Sequence, residues 1–148
     1  LADVLPTIFN KYPVRYRDYT LRELCQEMHS LYVSFDVKDL QKAMFRQESL
    51  PAVAMNPQDA NSAFIRGDVE LVRISEAAGR IAAEGALPYP PGVLCVVPGE
   101  VWGGAVQQYF LALEEGVNLL PGFSPELQGV YSETDADGIK RLYGYVVK

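Results

Sequence analysis

Glu100 stands where the local sequence could hold an acidic side chain in a fixed direction. It ends the stretch 87–100, LPYPPGVLCVVPGE, whose three early prolines restrict the backbone because each fixes φ at about −65°. The apolar run 93–97 predicts one buried strand, and Pro98-Gly99 predicts the turn after it. A helical pattern begins at Glu100. The stretch therefore predicts either a site carboxylate or a glutamate that caps the next helix.

The histidine, the cysteines and the glycine pair form no complete active-site pattern. His29 is the only histidine, at the edge of an apolar helix stripe with no nucleophile or orienting acid near it, which favours a structural role. Cys25 and Cys95 lie in apolar surroundings, are predicted to be buried free thiols and match no metal-ligand spacing. Gly103-Gly104 lacks the lysine and spacing of a phosphate loop, and we interpret it as a close helix contact.

Three other features have structural interpretations. Glu114-Glu115 falls in the last turn of a predicted helix, where the dipole disfavours negative charge; we interpret it as a solvated pair, with a cationic partner as the alternative. Asp135 and Asp137 are typical of a hairpin turn. Trp102 could stack on a ligand, but a single tryptophan on an apolar stripe is predicted to lie in the core.

The elements that would position these residues are helical first and extended later. Thr20 and Glu23 form a capping box, and Asp36 and Asn56-Pro57 predict two further helix starts. Strands are predicted at 69–74 and 80–83, a helix at 101–115, and a hairpin from 129–133 and 139–147. This order predicts an α+β fold, with a helical N-terminal half followed by a small mixed or antiparallel sheet and one long packed helix.

Length and charge limit the function classes. A chain of 148 residues, 49% hydrophobic and 22% charged, fits one domain over residues 1–148 and has no apolar run of membrane-spanning length. The net charge of −6 lies entirely in residues 67–148, which argues against nucleic acid and suits a cationic ligand. The two cysteines favour a cytoplasmic location, and the absence of an initiator methionine predicts a piece of a longer protein.

Several long motifs resemble one known family. LPYPPG followed by PGE, together with LCQEMHSLY and PAVAMNPQDANSAFIRGDVELV, resembles the C-terminal domain of the bacterial Orn/Lys/Arg decarboxylases, which are pyridoxal-phosphate enzymes of the aspartate-aminotransferase fold type. The late segment ALEEGVNLLPGFSPELQGVY is similar to the ornithine branch of that family. The resemblance covers the full chain.

The resemblance implies that the cofactor site belongs to another part of a longer decarboxylase. In the family, a lysine of a Ser-x-His-Lys motif carries pyridoxal phosphate as a Schiff base, and no lysine here follows a histidine. This domain alone is therefore expected to bind no cofactor and to be inactive. Glu100 matches the carboxylate that lines the substrate entrance, which implies contact with the distal ammonium of a small cationic amino acid. The implied partners are the cofactor domain of the same chain and a second subunit.

Two interpretations remain open after the resemblance. In the first, the chain closes the substrate channel of an ornithine decarboxylase that makes putrescine and CO2, and Glu100 recognises substrate. In the second, the chain is a non-catalytic assembly module of a lysine or arginine decarboxylase, and Glu100 is only a helix cap. The position of any effector site does not follow from the sequence.

Overall fold

Helices occupy the first half of the chain and strands most of the second. The computed structural model describes all residues from Leu1 to Lys148. The α-helices are α1 Pro6–Lys11, α2 Leu21–Ser34, α3 Val37–Ala43, α4 Pro57–Arg66 and α5 Gly104–Leu119. The strands are β1 Val69–Arg73, β2 Leu87–Tyr89, β3 Glu126–Gln128, β4 Tyr131–Thr134 and β5 Lys140–Val147. The predicted α+β class is confirmed.

The three helix starts predicted at Thr20, Asp36 and Asn56-Pro57 are in place, although their capping differs. Thr20 accepts a hydrogen bond from the Glu23 N–H, and the Glu23 side chain accepts from the Thr20 N–H, which completes the capping box of α2. The Asn56 side chain caps α4. Asp36 precedes α3 in the left-handed region at φ 50° and makes no side-chain cap. The first short helix, α1, had no cap signal and was missed.

The main sheet is antiparallel and has the order β1–β5–β4. Leu71 pairs with Tyr145 across β1 and β5, and Tyr131 pairs with Tyr143 across β4 and β5, so the predicted hairpin is present. A second sheet of two strands joins β2 to β3. Strand β3 was not predictable, because its three residues follow a proline-rich stretch that carries no strand pattern.

Two predicted strands do not form as such. Residues 93–97 make no strand: Val93 and Leu94 are half exposed, and only Val96 pairs, in a single bridge to Ala86. The apolar run splits because its second part enters the core while its first part stays on the surface. Residues 80–83 form single bridges instead of a regular strand.

The core surrounds α5 and the inner face of the main sheet. Val106 and Phe110 of α5 are buried against Leu142 and Val146 of β5, which lie on one face of that strand because side chains alternate. Trp102, 2% exposed, packs edge-to-face on Phe110 at 5.4 Å, so its predicted core position is confirmed. The helix α5 therefore serves as the central support of the domain.

A smaller apolar cluster ties the N-terminal helices to the end of α5. Tyr16, Leu24, Leu31 and Leu120 form its buried part. The Tyr16 hydroxyl donates to the Pro121 carbonyl at 2.9 Å. No helix in the chain is long and apolar enough to cross a membrane.

Candidate functional site

Glu100 lies in a series of paired backbone segments that extends the main sheet. Segment 80–83 pairs with β5 on one side, since the Ala83 N–H donates to Tyr145 and the Val147 N–H to Ile81. On the other side it pairs with segment 99–102, through the Ala82 N–H and the Glu100 carbonyl at 2.8 Å. The backbone of Glu100 is thereby fixed to the core sheet.

A third segment, 52–55, holds the outer side of Glu100. Val53 stands directly opposite Glu100, and the Val101 N–H donates to the Ala52 carbonyl at 2.9 Å. Val53 is 72% exposed. Because directly opposed residues of an antiparallel pair share a face, the Glu100 side chain leaves the ladder on the same, solvent-accessible side as Val53.

The Glu100 side chain closes the turn before it and does not cap α5. Its Oε2 atom accepts from the Val97 N–H at 2.8 Å, and the Glu100 N–H donates to the Val97 carbonyl at 3.0 Å. The helix begins four positions later, at Gly104, with Gly103 as the N-cap and no side-chain cap. The helix predicted from residue 101 therefore begins three residues later, and the helix-cap alternative for Glu100 is wrong. The other carboxylate oxygen, Oε1, makes no protein hydrogen bond.

Gly99 fixes the direction in which Glu100 points. Its φ of +91° is in the region that favours glycine, and a Cβ built there would lie 2.2 Å from the Met55 carbonyl oxygen. That approach is needed because the Gly99 carbonyl accepts from both the Ala54 and the Met55 N–H. The turn of the PGE motif thus depends on glycine for both conformation and space.

The residues of this chain do not fit the cofactor that the resemblance implies. A Schiff-base lysine is desolvated or placed beside another cation, which lowers its pKa and frees the amine. All five lysines lie exposed on the surface: Lys11, Lys38, Lys42, Lys140 and Lys148. No group of three or more metal-ligating side chains comes together. No lysine of this chain therefore has the surroundings of a Schiff-base lysine.

A carboxylate that was predicted to be solvated is buried in the C-terminal half of α5. Glu114 is 4% exposed, and its Oε2 accepts from the Leu142 N–H at 2.6 Å. Its Oε1 lies 3.5 Å from Nη1 of Arg141, whose Nε donates to Asp135. The solvated-pair prediction is wrong for Glu114, because it meets the start of β5. The helix continues to Leu119, so Glu114 is not in its last turn as predicted, and its partners lie far along the chain.

The thiols and the histidine separate in the fold. Cys95 is buried, as predicted, and burial raises the pKa of its thiol to about 11, so it is a poor nucleophile. Cys25 is exposed on α2, and the prediction that it is buried is wrong. His29 lies on the same exposed face, one turn later, so it is not packed in the core. None of these three side chains joins Glu100.

Fold, turn and motifs together define a known class of domain. The family of Orn/Lys/Arg decarboxylase C-terminal domains matches residues 38–148. The chain belongs to this family, which confirms the resemblance seen in the sequence. The relatives that follow are decarboxylases, as the resemblance implied.

Within the family, the chain is more similar to ornithine decarboxylases than to a lysine enzyme. It is 87% identical over 148 residues to the constitutive ornithine decarboxylase of Escherichia coli and 68% identical to the inducible one, covering all of this chain and 21% and 20% of those proteins. The solved lysine decarboxylase A of Pseudomonas aeruginosa is 32% identical, with a TM-score of 0.87 over 99% of this chain and 20% of that one. The chain thus spans about a fifth of the relatives it matches.

Proposed function

We propose that this chain is the C-terminal domain of an ornithine decarboxylase, which converts L-ornithine to putrescine and CO2. The observation that carries the proposal is the 87% identity over the whole chain to one such enzyme, against 32% to a lysine decarboxylase. The longer protein would be cytoplasmic and use pyridoxal phosphate, which supplies the electron sink for loss of CO2. The lysine that holds the cofactor would belong to the part of the protein outside this chain.

The role we propose for Glu100 is recognition of the substrate's distal ammonium. One of its oxygens is occupied by the Val97 N–H, and this bond together with the paired backbone restricts the side chain. The second oxygen makes no protein hydrogen bond and could accept a charge-assisted one from an ammonium. Because the Glu100 carboxylate is held in place, a substrate whose side chain is one methylene longer or shorter would present its ammonium at the wrong distance.

A contribution to assembly is favoured by the apolar side chains on the surface. Val14, Val53 and Ile65 are 80%, 72% and 75% exposed. Contact with the cofactor domain of the same chain or with a second subunit would remove this apolar area from water. The two roles are compatible, because Val53 lies opposite Glu100 and a covering surface there would bring Glu100 to the edge of a neighbouring domain.

The proposal is tested by the activity of the longer protein. We expect the purified protein with pyridoxal phosphate to release CO2 from ornithine with a kcat/KM at least about tenfold above that for lysine, the cost of one misplaced methylene. The diamine formed should be putrescine by chromatography. Preference for lysine or arginine would contradict the ornithine assignment, and no CO2 from any of the three would contradict the decarboxylase itself.

A further inference from the structure

A groove of about 570 Å³ lies between α2, α3, α5 and the residues before β3, and Glu100 takes no part in it. Its lining is mostly aromatic and apolar. Val37 and Leu113 are buried in it, and three rings and three prolines form the rest of the apolar wall: Tyr32, Tyr109, Phe123, Pro88, Pro90 and Pro125. A cavity of this size, with such a wall and a few polar groups, is typical of sites that bind small molecules.

The Tyr109 hydroxyl presents an unused hydrogen-bond donor to this groove. Tyr109 is 5% exposed, and its hydroxyl oxygen accepts from Nε2 of Gln41 at 3.1 Å. The hydroxyl hydrogen itself has no acceptor in the chain. Since Gln41 is exposed and lines the same groove, the hydroxyl lies at the surface of the groove and not in the closed core. Burial raises the pKa of this phenol above its ordinary value, so the donor keeps its proton.

Lys38 is the only charged residue that lines the groove. It lies three positions before Gln41 on α3, so the two side chains leave the same face of that helix. Lys38 makes no ion pair, and Asp36 and Asp39, which line a separate depression that Lys38 also borders, lie beyond ion-pair distance. The Lys38 ammonium therefore places an unpaired positive charge on the same groove as the Tyr109 donor.

These groups select a ligand that accepts hydrogen bonds and carries one negative charge. Donors that converge with no carboxylate among them match an anion. A phosphate dianion would keep one charge unmatched, because Lys38 is the single cation, and Lys38 repels any ammonium that the aromatic rings could otherwise hold. Tyr32 is 44% exposed, and a flat apolar body laid on it would remove aromatic area from water.

We propose that this groove binds a small molecule with one carboxylate and a flat apolar body, of the aryl-alkanoic acid class. The carboxylate accepts from the Tyr109 hydroxyl and the Lys38 ammonium, and the ring lies among Tyr32, Phe123 and the prolines. The site is separate from Glu100, and the proposal does not depend on the decarboxylase assignment.

The test uses 3-phenylpropanoate as the probe and a ligand-observed NMR titration of the longer protein, so that catalytic activity plays no part. We expect saturable binding with a Kd of about 1 mM or tighter, which a molecule of this size can reach in a groove that fits it. Two matched probes separate the contributions of its parts. The alcohol 3-phenylpropan-1-ol, which lacks the carboxylate, and propanoate, which lacks the ring, should each bind at least about tenfold more weakly.

Variants of the longer protein assign the binding to this groove. Tyr109→Phe keeps the ring and removes the buried donor, so the Kd should rise about 10–100-fold. Lys38→Met removes an exposed charge, and the Kd should rise about 2–5-fold. Lys42→Met, at an exposed lysine of the same helix that does not line the groove, should leave the Kd unchanged. The proposal is overturned if the probe shows no saturable binding, or if the Kd is unchanged in either Tyr109→Phe or Lys38→Met.

Discussion

Glu114 joins two elements that are far apart in the sequence. Its carboxylate accepts from the Leu142 N–H at the start of the core segment of β5 and lies beside Arg141. A buried carboxylate with such partners is stabilising mainly because its removal leaves those partners unsatisfied. Altering such a buried charge therefore has a large effect on the free energy of unfolding.

Replacing Glu114 by glutamine is expected to lower the free energy of unfolding by about 1.5–3 kcal/mol, since a charge-assisted hydrogen bond becomes a neutral one and Arg141 loses a counter-charge. Urea unfolding measures the loss. The neighbouring Glu115→Gln, which neutralises a carboxylate that makes no hydrogen bond, should change stability by no more than about 0.5 kcal/mol. Equal effects at the two positions would show that the Glu114 contacts do not stabilise the fold.

Gly99→Ala combines two penalties, whereas Gly79→Ala has only one. Both glycines have positive φ, +91° and +79°, but a Cβ at Gly79 has nothing within 4 Å, while one at Gly99 meets the Met55 carbonyl at 2.2 Å. We expect Gly79→Ala to cost about 1–2 kcal/mol from backbone strain. Gly99→Ala should cost at least about 1–3 kcal/mol more from the clash. Denaturant midpoints that do not differ between the two variants would argue against the close approach at Gly99.

At the scale of elements, the β4–β5 turn depends on Asp135. Its Oδ1 accepts from the Asp137 and Ile139 N–H groups and its Oδ2 from Arg141. The Ile139 hydrogen bond is the largest cause that lowers the pKa of the Asp135 carboxyl below its ordinary value, and Arg141 adds to it. Because the folded pKa is lower than the unfolded one, the ionised form stabilises the turn above pH of about 4, and this contribution is lost as the pH falls through the folded pKa.

The stability difference between the wild-type chain and Asp135→Asn should accordingly be greatest near pH 6 and should shrink steadily below pH of about 4. Thermal melts across this range measure it. The matched variant is Asp137→Asn, two residues on, because the Asp137 side chain accepts no hydrogen bond in the structure. At pH 6 this variant should change stability by no more than about 0.5 kcal/mol. A pH-independent difference for Asp135→Asn would contradict the role of its ionised carboxylate.

Elements with local signals were predictable, and those that depend on distant partners were not. The α2 capping box and the Asn56 cap of α4 each involve residues within a stretch of four, and both caps are present in the structure. Residues 93–97 are apolar enough for a strand, but which of them is buried is decided by Gly85, Ala86 and the main core. The turn at Pro98-Gly99 was predictable, whereas its bond to Met55 and the outward face of Glu100 were not.

At the scale of the whole molecule, the chain is a small α+β domain that spans about a fifth of the decarboxylases it resembles. Its core is organised around α5, and the segments that hold Glu100 are extensions of the sheet packed on that helix. A carboxylate on such a rigid support can act on a substrate held by another domain. The proposed function therefore places recognition in this chain and the bond-breaking chemistry outside it.

The most direct test of this account is the effect of Glu100→Gln on substrate choice by the longer protein. The amide can still accept from the Val97 N–H, so the turn should persist while the charge is lost. We predict that kcat/KM for ornithine falls about 10–100-fold, the value of a hydrogen bond between charged groups, and that preference over lysine changes. Glu133→Gln, at an exposed glutamate of β4, should have no effect. Unchanged kcat/KM for ornithine, lysine and arginine in Glu100→Gln would contradict the account.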